Sequence, residues 1–297
     1  MRPFLPIAAA GLLIAAAPAP KPVTPNDIVA GAPASAWIQI PADDLLVLEL
    51  KSGGRVVIQL APDFAPVHVA NIKVLARSGY WNGATIYRVQ DNYVAQWGLN
   101  ESDKPWPAGV TAKPPAEYTR ALKGLKVRPL GFADPYAPAA GFVGGWPVAY
   151  SAKGGWANLA HCYASVGVGR DLSPDTGTGG ELYAVIGHAP RHLDRNVTLL
   201  GRVVSGMDLL SSIPRGPAPM GFFEKPEMRV PIKSIKVAAD VPEAERTNLE
   251  TFRTDTAAFT ALVEARRNRR EEWFKNPAGH IELCNVPLPV RPIGAVK

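Results

Sequence analysis

The sequence predicts a mainly β fold, a closed eight-stranded antiparallel β-barrel with two short helices and a C-terminal helical extension. Three observations predict this class. Short apolar runs typical of strands recur between residues 45 and 239, only two helix patterns lie among them, and the 27 glycines and 30 prolines are numerous without being periodic. A doubly wound sheet needs more helices than this, whereas a closed barrel does not.

The first elements are a hairpin and a helix. The stretch "LLVLELKSGGRVVIQL" carries two apolar runs around Ser-Gly-Gly, which is typical of a β-hairpin. Next, "APVHVANIKVLARSG" opens near a proline, repeats apolar residues at helical spacing and closes on a glycine, which predicts a helix. The remaining strands are predicted at "ATIYRVQ", "YVAQWG", "ASVGVGR", "ELYAVIG", "NVTLLGRVV" and "IKSIKVAA", with a short helix at "GMDLLSSI".

The segments before the barrel predict export. Residues 1–19 have a basic start, an apolar run too short to span a bilayer comfortably and small residues after it, which is the pattern of a secretory signal peptide. Residues 20–44 begin rich in proline and alanine and are interpreted as a leader, flexible at least at its start. No later segment is long and apolar enough for a membrane helix.

Two further segments lie within or after the barrel domain, which is predicted to span residues 45–240. Residues 103–160 contain "KPWPAG", "DPYAPAAGFVGGWP" and "KGG" and are interpreted as a long ordered loop without strands. Residues 241–297 are predicted to contain a long amphipathic helix over 242–275 and an irregular tail.

Charge and cysteine content limit the partners. The net charge of +6 is mild, and the basic run at 264–275 includes three glutamates, so we expect a solvated helix face and no nucleic-acid partner. In an exported protein, Cys162 and Cys284 could form a disulfide or remain two buried thiols, and the sequence leaves both open. Two cysteines do not make a zinc site, so no metal is predicted.

The motifs of nucleotide-binding and hydrolytic enzymes are absent from the sequence. It has no phosphate-binding loop, Rossmann fingerprint, His-Glu-x-x-His or nucleophile elbow. What it has is an arginine, Arg88, inside an alternating strand, followed by a glutamine and several aromatic residues. This combination favours a reaction that needs no nucleophile, metal or cofactor.

Two blocks of the sequence resemble the cyclophilins, the family of peptidyl-prolyl cis–trans isomerases. The first block, residues 55–98, includes "GRVVIQLAPDFAPVHVANIKVLARSGYWNGATIYRV". The second, residues 164–213, includes "PDTGTGGELYAVIG" and "HLDRNVTLLGRVVSGMDLL". The resemblance implies a cyclophilin-like barrel and isomerisation of Xaa-Pro bonds in proline-containing polypeptides.

The resemblance also implies the site residues. It places Arg88 and Gln96 as the catalytic pair, in which Arg88 donates a hydrogen bond to the imide nitrogen of the twisting bond. The substrate-binding positions that it implies are Tyr93, Val94, Gly169, Arg170, Glu181, Tyr183, His192 and Leu193.

Some positions depart from the family pattern. Tyr87 replaces a histidine. Glu181 replaces a glutamine and either orients Arg88 or forms a close pair with it, which would occupy donors that the substrate needs and lower the activity. His192 replaces a tryptophan, which argues against tight cyclosporin binding, and Trp97 stands where the family has a glycine. The sequence therefore predicts a monomeric periplasmic isomerase that assists folding of exported proteins. The alternative is a catalytically weak barrel that binds unfolded segments or a partner.

Overall fold

The computed structural model describes residues 22–100 and 103–294 and confirms the predicted fold class. The predicted signal peptide, residues 1–19, lies outside the described residues. The strands are β1 (Trp37–Gln39), β2 (Leu45–Leu50), β3 (Arg55–Leu60), β4 (Thr85–Val89), β5 (Val94–Gly98), β6 (Arg120–Ala121), β7 (Arg128–Pro129), β8 (Ala139–Val143), β9 (Trp146–Ser151), β10 (Trp156–Leu159), β11 (Ser165–Val168), β12 (Leu182–Val185), β13 (Leu199–Ser205), β14 (Val230–Val237), β15 (Leu249–Phe252) and β16 (Val290–Pro292). The α-helices are α1 (Pro25–Gly31), α2 (Pro66–Arg77), α3 (Met207–Ser211) and α4 (Ala257–Arg267).

Eight of these strands close into an antiparallel barrel in the order β11-β12-β5-β4-β14-β2-β3-β13. Its interior is aliphatic, because alternate residues of each strand point inward and these positions carry leucine, isoleucine and valine. Helix α2 adds its apolar face to the same core, and Pro66 at its first turn lacks the N–H that would have no helical partner there. Fully buried members of the core include Leu46, Leu48, Ile58, Ile72, Leu75, Ile86 and Trp97.

The prediction that residues 103–160 form a loop without strands is wrong. They contain a five-stranded sheet in the order β6-β10-β9-β8-β7. Gly144 and Gly145 both have positive φ and make the tight turn between β8 and β9. The glycines that suggested a loop are thus turn residues between strands of two to six residues.

The segments on either side of the barrel are also more ordered than predicted. Within the predicted leader, α1 begins at a capping box in which Thr24 and Asp27 bond each other's backbone N–H. The long helix predicted over 242–275 is instead a strand, β15, and a shorter helix, α4, whose N-terminus is capped by the Thr256 hydroxyl. The tail supplies β16, so that β1, β15 and β16 form a three-stranded sheet.

We call the two small sheets together with α1 and α4 the accessory layer. It has its own apolar core, which includes Trp37, Phe142, Phe252, Phe259 and Leu262. The disulfide Cys162–Cys284, one of the two states that the sequence left open, links the start of the barrel's second half to the C-terminal segment.

Arg202 joins the barrel to both small sheets. Its guanidinium donates to the Gln59 side chain on β3, to the Gly145 carbonyl and to the Thr251 hydroxyl on β15. These acceptors are all neutral, and burial lowers the pKa of Arg202 to about 10. Among the described residues, no helix is long and apolar enough to cross a bilayer.

Candidate active site

A groove crosses the outer face of four neighbouring barrel strands, β11, β12, β5 and β4. A bulge in β4 positions its main residue. Ile86 pairs with Trp97 and Arg88 pairs with Gln96, so that Tyr87 is the extra residue. Because of this bulge, Ile86 and Val89 face the core, whereas Tyr87 and Arg88 both reach the groove.

The guanidinium of Arg88 is surrounded by neutral groups. Its Nε donates to the Met220 carbonyl at 2.8 Å, Nη1 donates to Gln96 Oε1 at 3.0 Å and Nη2 donates to Gln90 Oε1. Its central carbon lies 4.9 Å from the centroid of the Phe222 ring. Burial lowers the pKa of Arg88, and no carboxylate of the described residues forms an ion pair with it.

Gln96 is held on both sides of its amide. Oε1 accepts from Arg88, and Nε2 donates to the Tyr87 hydroxyl at 2.5 Å. The two bonds leave only one orientation of the amide that satisfies both partners. Tyr87, which replaces the family's histidine, therefore orients Gln96, and Gln96 orients Arg88.

Glu181 forms no bond or ion pair with Arg88, so it does not orient Arg88 directly; it interacts with the Tyr87 hydroxyl, which in turn bonds Gln96. Its carboxylate accepts from the backbone N–H of Asn100 at 3.0 Å and packs on Gly98, where an added Cβ would lie 2.0 Å from it. Burial raises the pKa of this carboxyl. Trp97, the other departure beside it, is wholly buried in the barrel core. Neither Glu181 nor Trp97 thus provides an anionic partner for Arg88.

An apolar pocket lies beside Arg88 in the groove. Tyr93, Val94 and Tyr183 pack together with Val185 and Val197. Gly167 makes room for the Tyr183 ring, since a Cβ there would lie 2.3 Å from its hydroxyl. The groove is lined by nine of the ten predicted site residues, namely Arg88, Tyr93, Val94, Gln96, Gly169, Arg170, Glu181, Tyr183 and Leu193.

The tenth, His192, does not line the groove. Its ring stacks on Tyr93 with centroids 6.4 Å apart and an angle of 11° between the planes. His192 thus supports the pocket from outside. Gly169 gives its backbone N–H to the Glu181 carbonyl at 2.8 Å. The guanidinium of Arg170 folds back onto the carbonyls of Asp171 and Asn196.

Sequence reasoning missed several residues that contact Arg88 or line the groove. Gln90 and Met220 hold two nitrogens of Arg88, and Phe222 covers its guanidinium. Trp106 and Leu172, both exposed, form parts of the rim. Met220 and Phe222 lie outside the two resembling blocks, and no pattern in "RGPAPMGFF" marks them.

A closed antiparallel barrel that presents an arginine, a glutamine and an apolar pocket in one surface groove is the arrangement that the resemblance to cyclophilins implies. Comparison with known proteins agrees with this class. Residues 45–237 match the family model described as cyclophilin type peptidyl-prolyl cis-trans isomerase/CLD, and the chain belongs to this family.

Similar proteins carry the same activity in their names. A probable peptidyl-prolyl cis-trans isomerase of Brucella suis is 28% identical over 177 residues, which cover 59% of this chain and 73% of that protein. Peptidyl-prolyl cis-trans isomerase B of Bacillus subtilis is 25% identical over 167 residues, covering 56% of this chain and 88% of that protein. The chain is thus a peptidyl-prolyl cis–trans isomerase.

One solved structure is similar well beyond the barrel. The cyclophilin AquaCyp293 from Hirschia baltica superposes with a TM-score of 0.67 at 22% identity and covers 90% of this chain and 96% of that chain. The family model matches only residues 45–237, whereas the structural similarity covers 90% of the chain. The similarity in fold therefore includes part of the accessory layer.

Proposed function

We propose that Arg88 is the catalytic residue of this isomerase, that Gln96 holds it, and that the substrate proline occupies the pocket of Tyr93, Val94, Tyr183 and Leu193. Rotation about an Xaa-Pro bond is slow because nitrogen donates its lone pair to the carbonyl, with a barrier of about 18–20 kcal/mol for peptide bonds. In the twisted state the lone pair returns to nitrogen. A donor aimed at that nitrogen binds the twisted state better than either planar state, as catalysis requires.

The observation that carries this proposal is the set of partners of Arg88. Three of its N–H groups bond neutral oxygens of Met220, Gln96 and Gln90, and its charge faces no carboxylate of the described residues. A guanidinium has five N–H donors, so one on each terminal nitrogen remains for a substrate. The charge is thereby oriented without being neutralised.

The hydrogen bond alone is too weak to account for a large acceleration. A rate increase of about 10⁵ needs about 7 kcal/mol, whereas a charge-assisted hydrogen bond contributes about 1.5–3 kcal/mol. We assign the remainder to exclusion of water by the pocket and to clamping one side of the bond along the groove. Gly169, Arg170 and Glu181 lie along the groove wall, where this clamping would occur.

Substitution of Arg88 tests the proposal. Arg88→Ala should lower kcat/KM for a proline tetrapeptide by about 10²–10³-fold, the usual effect of removing a transition-state donor, with an unchanged thermal midpoint. Arg253→Ala, which removes an exposed arginine paired with Asp255, is the matched control and should keep full activity. Equal rates for Arg88→Ala and the wild-type protein would favour the alternative, a barrel that binds unfolded segments without catalysis through Arg88.

We further propose that the substrates are proline-containing segments of exported proteins and that the enzyme acts as a monomer in the periplasm. Two observations support the exported location. Residues 1–19 have the pattern of a signal peptide, and the Cys162–Cys284 disulfide is typical of oxidising compartments.

Cell fractionation tests the proposed location. The full chain should appear in the periplasmic fraction with a shortened N-terminus, and a variant lacking residues 2–19 should stay in the cytoplasm. A full-length chain that remains unprocessed in the cytoplasm would contradict export. Light scattering of the purified protein measures its molar mass in solution, and a mass of two or more chains would contradict the monomer.

A further inference from the structure

A row of buried polar side chains lies directly behind the proposed proline pocket. The Tyr183 hydroxyl lies 3.0 Å from His161 Nε2, and His161 Nδ1 lies 2.8 Å from Asp194 Oδ1. Asp194 Oδ1 also accepts from the backbone N–H of His161 at 2.9 Å. The side chains of His161 and Asp194 are 1% and 5% exposed, so water does not compete for these bonds.

The geometry assigns a direction to each bond. Asp194 accepts from two atoms of His161, so the Nδ1 of His161 carries the ring proton. Nε2 is then an acceptor, and the Tyr183 hydroxyl donates to it. Burial lowers the pKa of His161, although the carboxylate of Asp194 opposes this, and the ring is therefore neutral when it holds Tyr183.

The row continues into the accessory layer. Arg191 Nε donates to Asp194 Oδ2 at 2.5 Å, and its two terminal nitrogens each donate to Asp134 at 3.0 Å. Nη1 also lies 3.4 Å from Glu282, whose other oxygen accepts from the N–H of Cys284. Asp134 lies between β7 and β8, so one chain of contacts joins the accessory sheet to the groove.

We propose that His161 and Asp194 are positioning residues, which fix the Tyr183 ring in the proline pocket, and that the accessory layer holds them in place through Arg191. This inference rests on the proposed role of Tyr183 in that pocket. The 3₁₀ turn Arg191–Leu193 also carries Leu193, so the same network fixes a second residue that lines the groove.

Three substitutions test the proposal. Tyr183→Phe keeps the ring and removes only the donor, and it should lower kcat/KM by up to about 10-fold, the equivalent of one net hydrogen bond. In His161→Asn, the asparagine amide can replace Nδ1 as the donor to Asp194, but the side chain is too short to reach Tyr183. This variant should therefore lose as much kcat/KM as Tyr183→Phe. His161→Gln places an amide oxygen near the position of Nε2 and should stay within about 3-fold of wild type.

A double substitution and two controls complete the experiment. Tyr183→Phe with His161→Asn should be no worse than Tyr183→Phe alone, because both remove the same bond. Tyr163→Phe, at an exposed tyrosine, should be neutral. Arg88→Ala in the same assay reports on the proposed function separately. The inference is overturned if Tyr183→Phe keeps full kcat/KM while Arg88→Ala loses it. It is also overturned if His161→Asn and His161→Gln lose the same amount of activity and that loss follows only the fall in their thermal midpoints.

Discussion

The barrel and the accessory layer are stabilised in different ways. The barrel closes on itself, so every strand has two neighbours, and its core is a continuous set of buried aliphatic side chains. The accessory layer consists of two open sheets of three and five strands and two helices, with a smaller aromatic core. It is joined to the barrel by two small apolar contacts, in which Leu249 packs near Val47 and Val148 packs near Leu199. The other links are the disulfide, the buried network of Arg191 and the neutral contacts of Arg202. We infer that the barrel owes its stability to its own burial of apolar surface, whereas the layer depends on these links.

The disulfide should have the largest effect. In the chain-entropy model, a cross-link over the 122 residues between Cys162 and Cys284 contributes about 4–5 kcal/mol. We therefore expect the Cys162→Ala, Cys284→Ala double variant to lose an amount of this order in guanidinium unfolding. Hydrogen exchange should rise more at residues 139–159 than in β2 and β3. A uniform rise would mean that the barrel and the layer unfold as one unit, which would remove the proposed difference.

Loss of one aromatic residue from the core of the layer should come next. Phe259 is fully buried and packs edge-on against Phe142 with centroids 5.0 Å apart. Phe259→Ala should cost about 3–5 kcal/mol through lost burial and a residual cavity. Leu48→Ala in the barrel is the matched variant, with a cost of about 2–5 kcal/mol.

Hydrogen exchange distinguishes these two variants. Phe259→Ala should loosen amides of the accessory layer first, whereas Leu48→Ala should loosen amides throughout the chain, since the layer rests on the barrel. The comparison would fail if Phe259→Ala loosened β2 and β3 as strongly as it loosened β8 and β9.

The same difference explains what the sequence could predict of the fold. Barrel strands are apolar and bounded by turn residues, and α2 was predicted over residues 65–79 because its proline, apolar spacing and glycine all agree. In the accessory layer, strands of two to six residues stand among glycines and prolines, so local signals favour a loop. The pairing of β1 with β15 joins residues more than 200 positions apart, and no local pattern shows it.

The site, like the fold, was predicted where a local sequence pattern marks it and was missed where it depends on how distant segments fold together. The residues that lie in the two resembling blocks meet in one groove, with His192 beside it rather than in it. Gln90, Met220 and Phe222 were missed because their roles depend on how loops fold over β4, not on a repeating pattern. Glu181 does not reach Arg88 directly, because the Asn100 N–H holds its carboxylate over Gly98. It is linked to Arg88 only through Tyr87 and Gln96.

Acid should weaken the buried network more than it weakens the barrel. Burial raises the pKa of Asp194, but the hydrogen bond from His161 and the charge of Arg191 bring it below its ordinary value. The pKa of His161 is also lowered. For both groups the unfolded chain takes up the proton first as the pH falls, so the free energy of unfolding decreases at lower pH. The decrease should begin near pH 6.5 for His161 and near pH 4 for Asp194, about the ordinary pKa values of these groups.

Unfolding of the wild-type protein and His161→Gln between pH 7 and 5 measures this effect. In this range the wild-type protein should lose at most about 1.4 kcal/mol per pH unit more than the variant, because only the wild-type protein has the His161 proton to take up. The groups around His161 are Asp194, Arg191, His192 and Tyr183, and all four remain in the variant. Identical pH slopes would show that His161 has the same pKa in both states.

An exposed ion pair on the barrel should have the smallest effect. Arg77 at the end of α2 bonds Asp240 at 2.9 Å and Asp43 at 2.8 Å, and these bonds raise its pKa. Its side chain is 47% exposed, so water and salt screen the interaction, and Arg77→Ala should cost about 0.2–1 kcal/mol. The difference from the wild-type protein should shrink in high salt, whereas the cost of replacing the buried Asp134 by asparagine should not. A larger cost for Arg77→Ala than for Asp134→Asn would show that the barrel, too, relies on specific polar links.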